Sequence, residues 1–193
     1  LDLHAARRGG RLEAGRALES RRRPAAPGGD VEYVTGETRR MIPEAGHFAL
    51  ALAVALALGQ GITGLLGAAR RDARWMQATG ALAHGQAIAV LAAFAALVWS
   101  SVVDDFSVQN VAEHSHSLKP LLYKVTGAWG NHEGSIVLWC LILAACGACV
   151  AGFGRNLPSA LRSRVVGVLG LVSAGFLLFT LLTSNPLLRV WPP

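Results

Sequence analysis

The chemistry-bearing residues of this chain gather between Val125 and Trp139, in the sequence VTGAWGNHEGSIVLW. Trp129, Gly130, His132, Glu133, Gly134 and Ser135 form its centre and are the candidate site residues. An indole is apolar in body and polar at its N–H, so Trp129 and Trp139 suit a membrane–water boundary. His132 and Glu133 sit where a charge still reaches water. The same residues have a purely structural use. Asn131 or Ser135 caps the first turn of a following helix, and Glu133 complements the positive end of its dipole. The segment either binds something or starts a helix, and spacing alone leaves both open.

Other candidate groups are sparser. His114 and His116 are separated by one residue and could pinch a metal from an extended segment, but only Glu113 stands beside them, and no zinc spacing completes a set. His47 and His84 fall at the ends of apolar runs, where an imidazole could ligate haem iron or bond a neighbouring helix. Cys146 and Cys149 make a CxxC, and Cys140 precedes it, all inside one apolar run flanked by Ala, Gly, Leu and Val. There a free thiol behaves as a small hydrophobe. No nucleophile elbow, phosphate-binding loop or HExxH helix is present, so no catalytic or metal set is assigned.

The elements that must position these residues are membrane helices. Hydrophobic residues make up 52% of the 193, and charged residues only 16%, against about 25% in soluble domains. Four apolar runs, at about 47–69, 81–103, 135–153 and 165–183, contain no Asp, Glu, Lys or Arg. Each is long enough to cross a ~30 Å hydrocarbon core as a helix. The expected fold is therefore all-α: a polytopic membrane protein with four transmembrane helices. Lys and Arg are dispersed, with no basic stripe interleaved with aromatics, which excludes a nucleic-acid binder.

Orientation follows from the cationic side chains. Arg70, Arg71 and Arg74 follow the first run; Arg155, Arg162 and Arg164 follow the third. Loops 70–75 and 154–164 are expected to be cytoplasmic, and Met41 and the outer loop 104–134 periplasmic. That loop is partly apolar and is expected to lie along the outer membrane surface. Residues 1–40 stand apart. They hold nine Arg against six acids, with much Gly, Ala and Pro, and are expected to be disordered. On the proposed orientation they would place arginines outside. A start at Met41, with the first forty residues a mis-called extension, removes the conflict; a basic arm on anionic lipid is the alternative.

Several stretches carry a family resemblance. MIPEAGHFAL at 41–50, Asp104-Asp105-Phe106, Tyr123-Lys124, AWGNHEGSIVLW and SAGFLLFTLLTSNPLLR at 173–189 follow one another in the order and spacing of one family. Residues 41–193 resemble the amino-terminal membrane region of the CcmF/NrfE/CycK family of cytochrome c-type biogenesis proteins. The resemblance implies a haem lyase complex in the bacterial inner membrane, which takes haem from the chaperone CcmE and attaches it to apocytochrome c on the periplasmic side. Other cytochrome c maturation subunits would be its partners. The cofactor implied is haem, which itself carries the reactive groups. The family's haem ligands and Trp-rich motif lie beyond the residues that match here, so a catalytically incompetent fragment is expected. Two readings compete: a transporter or channel subunit, and a structural membrane subunit without chemistry of its own.

Overall fold

The computed structural model describes the backbone of residues 29–190 and the side chains of residues 41–190. Residues 1–28, most of the stretch expected to be disordered, lie outside the described residues. The chain divides into units 1–38 and 39–193, and the second is described below.

Among the described residues six α-helices follow in order: α1 (Gly29–Arg70), α2 (Ala73–Val102), α3 (Gln109–His114), α4 (Leu121–Gly127), α5 (His132–Phe153) and α6 (Ser159–Thr183). A 3-10 turn (Gly154–Asn156) joins α5 to α6. No strand occurs among the described residues, and a single antiparallel bridge links Val108 with Arg189. Among the described residues four helical stretches are long and apolar enough to cross a membrane: Met41–Arg70, Ala73–Val102, His132–Asn156 and Ser159–Thr183, with mean hydropathies of 2.0, 1.9, 2.5 and 2.5. The protein is an all-α, multi-pass membrane protein.

The helices start earlier than the apolar runs, for local reasons. The α1–α2 turn is tight: Arg71 takes a left-handed φ of 56°, and the Asp72 carboxylate accepts from the Arg74 N–H at 2.9 Å. This cap starts α2 at Ala73, eight residues before the apolar run. Pro158, with its fixed φ, launches α6 at Ser159 rather than 165. An apolar run measures the hydrocarbon; the helix also crosses the polar headgroup layer at each end. α1 likewise extends back to Gly29, into residues expected to be disordered. Adding a turn to an existing helix is far easier than nucleating one.

Small residues let the helices close up. A Cβ on Gly64 would lie 2.7 Å from the Gly167 Cα, so α1 and α6 cross there backbone to backbone. Buried polar groups bridge the same seam: the Gln60 amide donates to the Val166 carbonyl at 2.6 Å, and the Ser163 hydroxyl to the Gly64 carbonyl at 3.2 Å. Gln86 donates to the Ser173 hydroxyl. In a bilayer these groups find no water, so they turn inward and bond to the next helix. The apolar centre holds Leu50, Leu97, Val137, Cys140 and Leu177. Cys146 and Cys149 face outward from the bundle, and all three thiols are free.

Candidate functional site

The long loop and the exit of α6 meet at one end of the bundle. There the Ala128–Asn131 turn carries the chain from α4 into α5. Its hydrogen bonds are of the tight i to i+3 kind: Ala128 N–H to Val125 O, Trp129 N–H to Thr126 O and Gly130 N–H to Gly127 O, each at 3.3 Å. The turn then bends back over the start of α5. A Cβ on Gly134 would meet the Ala128 carbonyl oxygen at 1.8 Å, so only glycine permits this approach.

Asn131 organises the junction. Its side-chain oxygen accepts from the Gly134 N–H at 2.7 Å, capping α5. The same amide pairs with Asn110 on α3: Asn110 Nδ2 donates to Asn131 Oδ1 at 3.1 Å, and Asn131 Nδ2 returns a bond to Asn110 Oδ1 at 3.1 Å. Asn110 Nδ2 also lies 3.2 Å from Glu133 Oε2. Asn110 is only 2% exposed, so its polar atoms have been taken from water and given protein partners. Glu133 occupies the first turn of α5, where the helix dipole favours its charge.

The six candidate residues therefore divide. Glu133 and Gly134 join the Asn110–Asn131 network. Trp129 turns inward, its ring 5.9 Å from that of Phe94 on α2 and tilted by 33°. Gly130 and His132 face outward, and the Ser135 hydroxyl donates to the His132 carbonyl at 2.9 Å. Trp139, 66% exposed, faces the hydrocarbon side, as a boundary indole does. The other histidines are scattered. Asn185 Nδ2 lies 2.8 Å from His47 Nδ1, His84 Nδ1 donates to the Gly80 carbonyl at 2.7 Å, and His114 Nδ1 to the Asn110 carbonyl at 3.2 Å. His116 Nδ1 accepts from the Leu118 N–H at 3.3 Å. Among the described residues no three His, Cys, Asp or Glu side chains converge on a metal position.

Two charged clusters brace this end and were not assigned a role from the sequence. Asp104, at a left-handed φ of 54°, is ion-paired with Lys124. Beyond α6 the chain folds back as an extended strap. The Gln109 N–H donates to the Leu188 carbonyl and the Val190 N–H to the Ser107 carbonyl, both at 2.8 Å. From the strap, Arg189 reaches Glu44 at 2.6 Å and Asp105 at 3.9 Å, and donates to the Ser107 hydroxyl. The strap thus ties the start of the α1 span to the long loop.

Among the described residues, the cavity between Ser101, Asn110, Tyr123 and Lys124 has about 10 Å³, room for one water. That cavity is too small to hold a haem. What the residues of this end offer is a fixed surface: an outward imidazole on His132, an exposed backbone at Gly130, and neighbouring apolar side chains at Leu118, Leu121, Leu122 and Tyr123, which are 86, 63, 70 and 63% exposed.

No family model matches the chain. Individual proteins do. It is 54% identical over 153 residues to the cytochrome c-type biogenesis protein CycK of Bradyrhizobium diazoefficiens, covering 79% of this chain and 23% of that protein. It is 47% identical over 152 residues to the cytochrome c-type biogenesis protein CcmF of Pseudomonas aeruginosa, again 79% of this chain and 23% of the relative. A solved structure of the cytochrome c haem lyase CcmF superposes with a TM-score of 0.72 at 28% identity, covering 79% of this chain and 26% of that one. The chain thus spans about a quarter of the length of the relatives it matches. Over 79% of its own length the chain is thus similar to one part of the CycK and CcmF cytochrome c-type biogenesis proteins.

Proposed function

We propose that this chain supplies a membrane scaffold within a haem lyase of the CcmF kind, which attaches haem to apocytochrome c at the periplasmic face of the inner membrane. The observation that carries this reading is the 54% identity to CycK over 153 residues, together with a loop end built to hold one rigid surface. The arginine-bearing turns at 70–74 and 155–164 face the cytoplasm, and the Ala128–Asn131 turn faces the periplasm, by the distribution of cationic side chains. In this reading the haem is delivered by the chaperone CcmE and held by other parts of the lyase. Its vinyl groups supply the reactive carbons when it is bound.

The residues of this chain then position and do not react. Gly134 and Asn131 fix the turn, Glu133 and Asn110 lock it to α3, and Trp129 anchors it to α2. His132, Gly130 and the apolar rim at Leu118–Tyr123 form the contact surface for the haem carrier or the cytochrome. A transporter reading has no comparable support, since the bundle interior carries amides and hydroxyls rather than ionisable pairs.

The test is a chimera. The matching quarter of Bradyrhizobium CycK is replaced by this chain in a strain lacking its own copy. Haem-stained c-type cytochromes should return. A chimera present in membranes at the normal level, with covalent cytochrome c still missing, would overturn the reading.

A further inference from the structure

At the opposite end of the bundle, α2, α5 and α6 leave a cavity of about 450 Å³, lined among others by Gln77, Thr79, His84, Arg155, Arg162 and Ser163. Among the described residues no Asp or Glu lines it. Neither arginine takes part in the ion pairs found among the described residues, which involve Lys124 and Arg189. Two cations thus face one polar cavity without a counter-charge. The stem of Arg162 passes close over Gly154, where an added Cβ would lie 3.3 Å from its Cδ. His84 donates through Nδ1 to the Gly80 carbonyl at 2.7 Å. In the neutral ring this leaves Nε2 as an acceptor, on the side facing Gly152. Beside the cavity, Phe153, Leu157 and Leu161 present apolar side chains that are 86, 41 and 48% exposed.

We propose that this cavity seats the headgroup of an anionic phospholipid. The phosphodiester lies on Arg155 and Arg162, whose planar guanidiniums match a phosphate in two-point geometry. His84 Nε2 and Gln77, both exposed at the cavity, take the headgroup hydroxyls, as a glycerol headgroup provides. The acyl chains run along Phe153 and Leu161. Basic pockets between helix ends at a membrane face have the charge and depth for such lipids. A zwitterionic choline headgroup carries its own cation toward the arginines and lacks the hydroxyls. This site is independent of the haem-attachment reading.

Native mass spectrometry of the full chain, purified and delipidated in detergent, reads the site directly. Titrated with short-chain phosphatidylglycerol, the wild type should form a one-lipid adduct at a concentration about tenfold below that needed for phosphatidylcholine. Arg155→Gln with Arg162→Gln should abolish that preference, and Arg155→Gln alone should reduce it. Arg70→Gln with Arg71→Gln, at the same membrane face, should leave it intact. Equal affinity of the wild type for the two lipids overturns the proposal without recourse to any variant. So does an equal loss in the Arg70/Arg71 pair, which would mean general surface attraction. Displacement of phosphatidylglycerol by inorganic phosphate would make the ligand a soluble anion and also overturn it.

Discussion

Asn110 and Asn131 grip each other by both amide groups, 3.1 Å in each direction, across two helices that are separate in sequence. A single residue, Asn131, both caps α5 and closes this pair. The start of α5 is therefore fixed by α3 as well as by its own backbone.

Asn131→Ala removes a cap and leaves the buried Asn110 short of a partner. A lost cap costs about 1 kcal/mol, and a buried unpaired amide about 1–3 kcal/mol more. Asn110→Ala keeps the cap and should cost less. Unfolding in detergent, read as a double-mutant cycle, should give a coupling of roughly 0.5–3 kcal/mol. Simple additivity would mean that the two amides act separately.

Gly134→Ala puts a methyl group where the Ala128 carbonyl oxygen already sits, 1.8 Å away. The turn must open, and Trp129 must leave Phe94. Gly127→Ala meets no atom within 4 Å and serves as the control. Thermal unfolding should drop clearly for Gly134→Ala and little for Gly127→Ala. In the CycK chimera only the former should lose haem-stained cytochrome c.

Gly167→Leu forces α6 away from Gly64, where the two helix backbones approach closely. Overpacking of this kind costs about 1–3 kcal/mol. It should also weaken the Ser163–Gly64 and Gln60–Val166 bonds along the same seam. Gly175→Leu, with no atom within 4 Å, should be tolerated. Comparable losses for both would show that α1 and α6 do not cross at Gly64.

Side of membrane is open to cysteine labelling in a variant whose three native cysteines are replaced by alanine. On the proposed orientation, Ser117→Cys should react with an impermeant maleimide in intact spheroplasts. Ser159→Cys should react only after permeabilisation. The reverse pattern would place the Ala128–Asn131 turn in the cytosol and remove the haem-attachment reading.

Glu44→Gln should have little effect on stability, since Glu44 is 56% exposed in its ion pair and solvent screens such contacts to at most about 1 kcal/mol. Arg189→Ala should cost more, because it also gives up Ser107 and Asp105. Unfolding of both variants at low and high salt would separate the charge effect from the lost strap.

The helices were legible in the sequence because a bilayer demands a long uncharged run, and four such runs exist. Their ends were less legible. Ala73–Gly80 and Ser159–Arg164 are helical but mixed in polarity, and hydropathy alone passes over them. Within the site, Asn131 and Glu133 could be read as cap and dipole partner because those bonds span at most three residues. Asn110 could not, because its partner is 21 residues away and nothing in its own neighbourhood marks it. The Arg189–Glu44 contact, 145 residues apart, was invisible for the same reason. The contact of Trp129 with Phe94 on α2 was hidden in the same way, since the two rings are far apart in sequence.

The strap after α6 is tied both to the bundle, through buried Leu187, and to the long loop, through Arg189. Arg189 is bonded to Ser107, and Asn110 follows three residues later, already paired with Asn131. The surface that bears His132 is thus pinned from two directions, by the Asn110–Asn131 pair beneath it and by the segment that returns after Thr183.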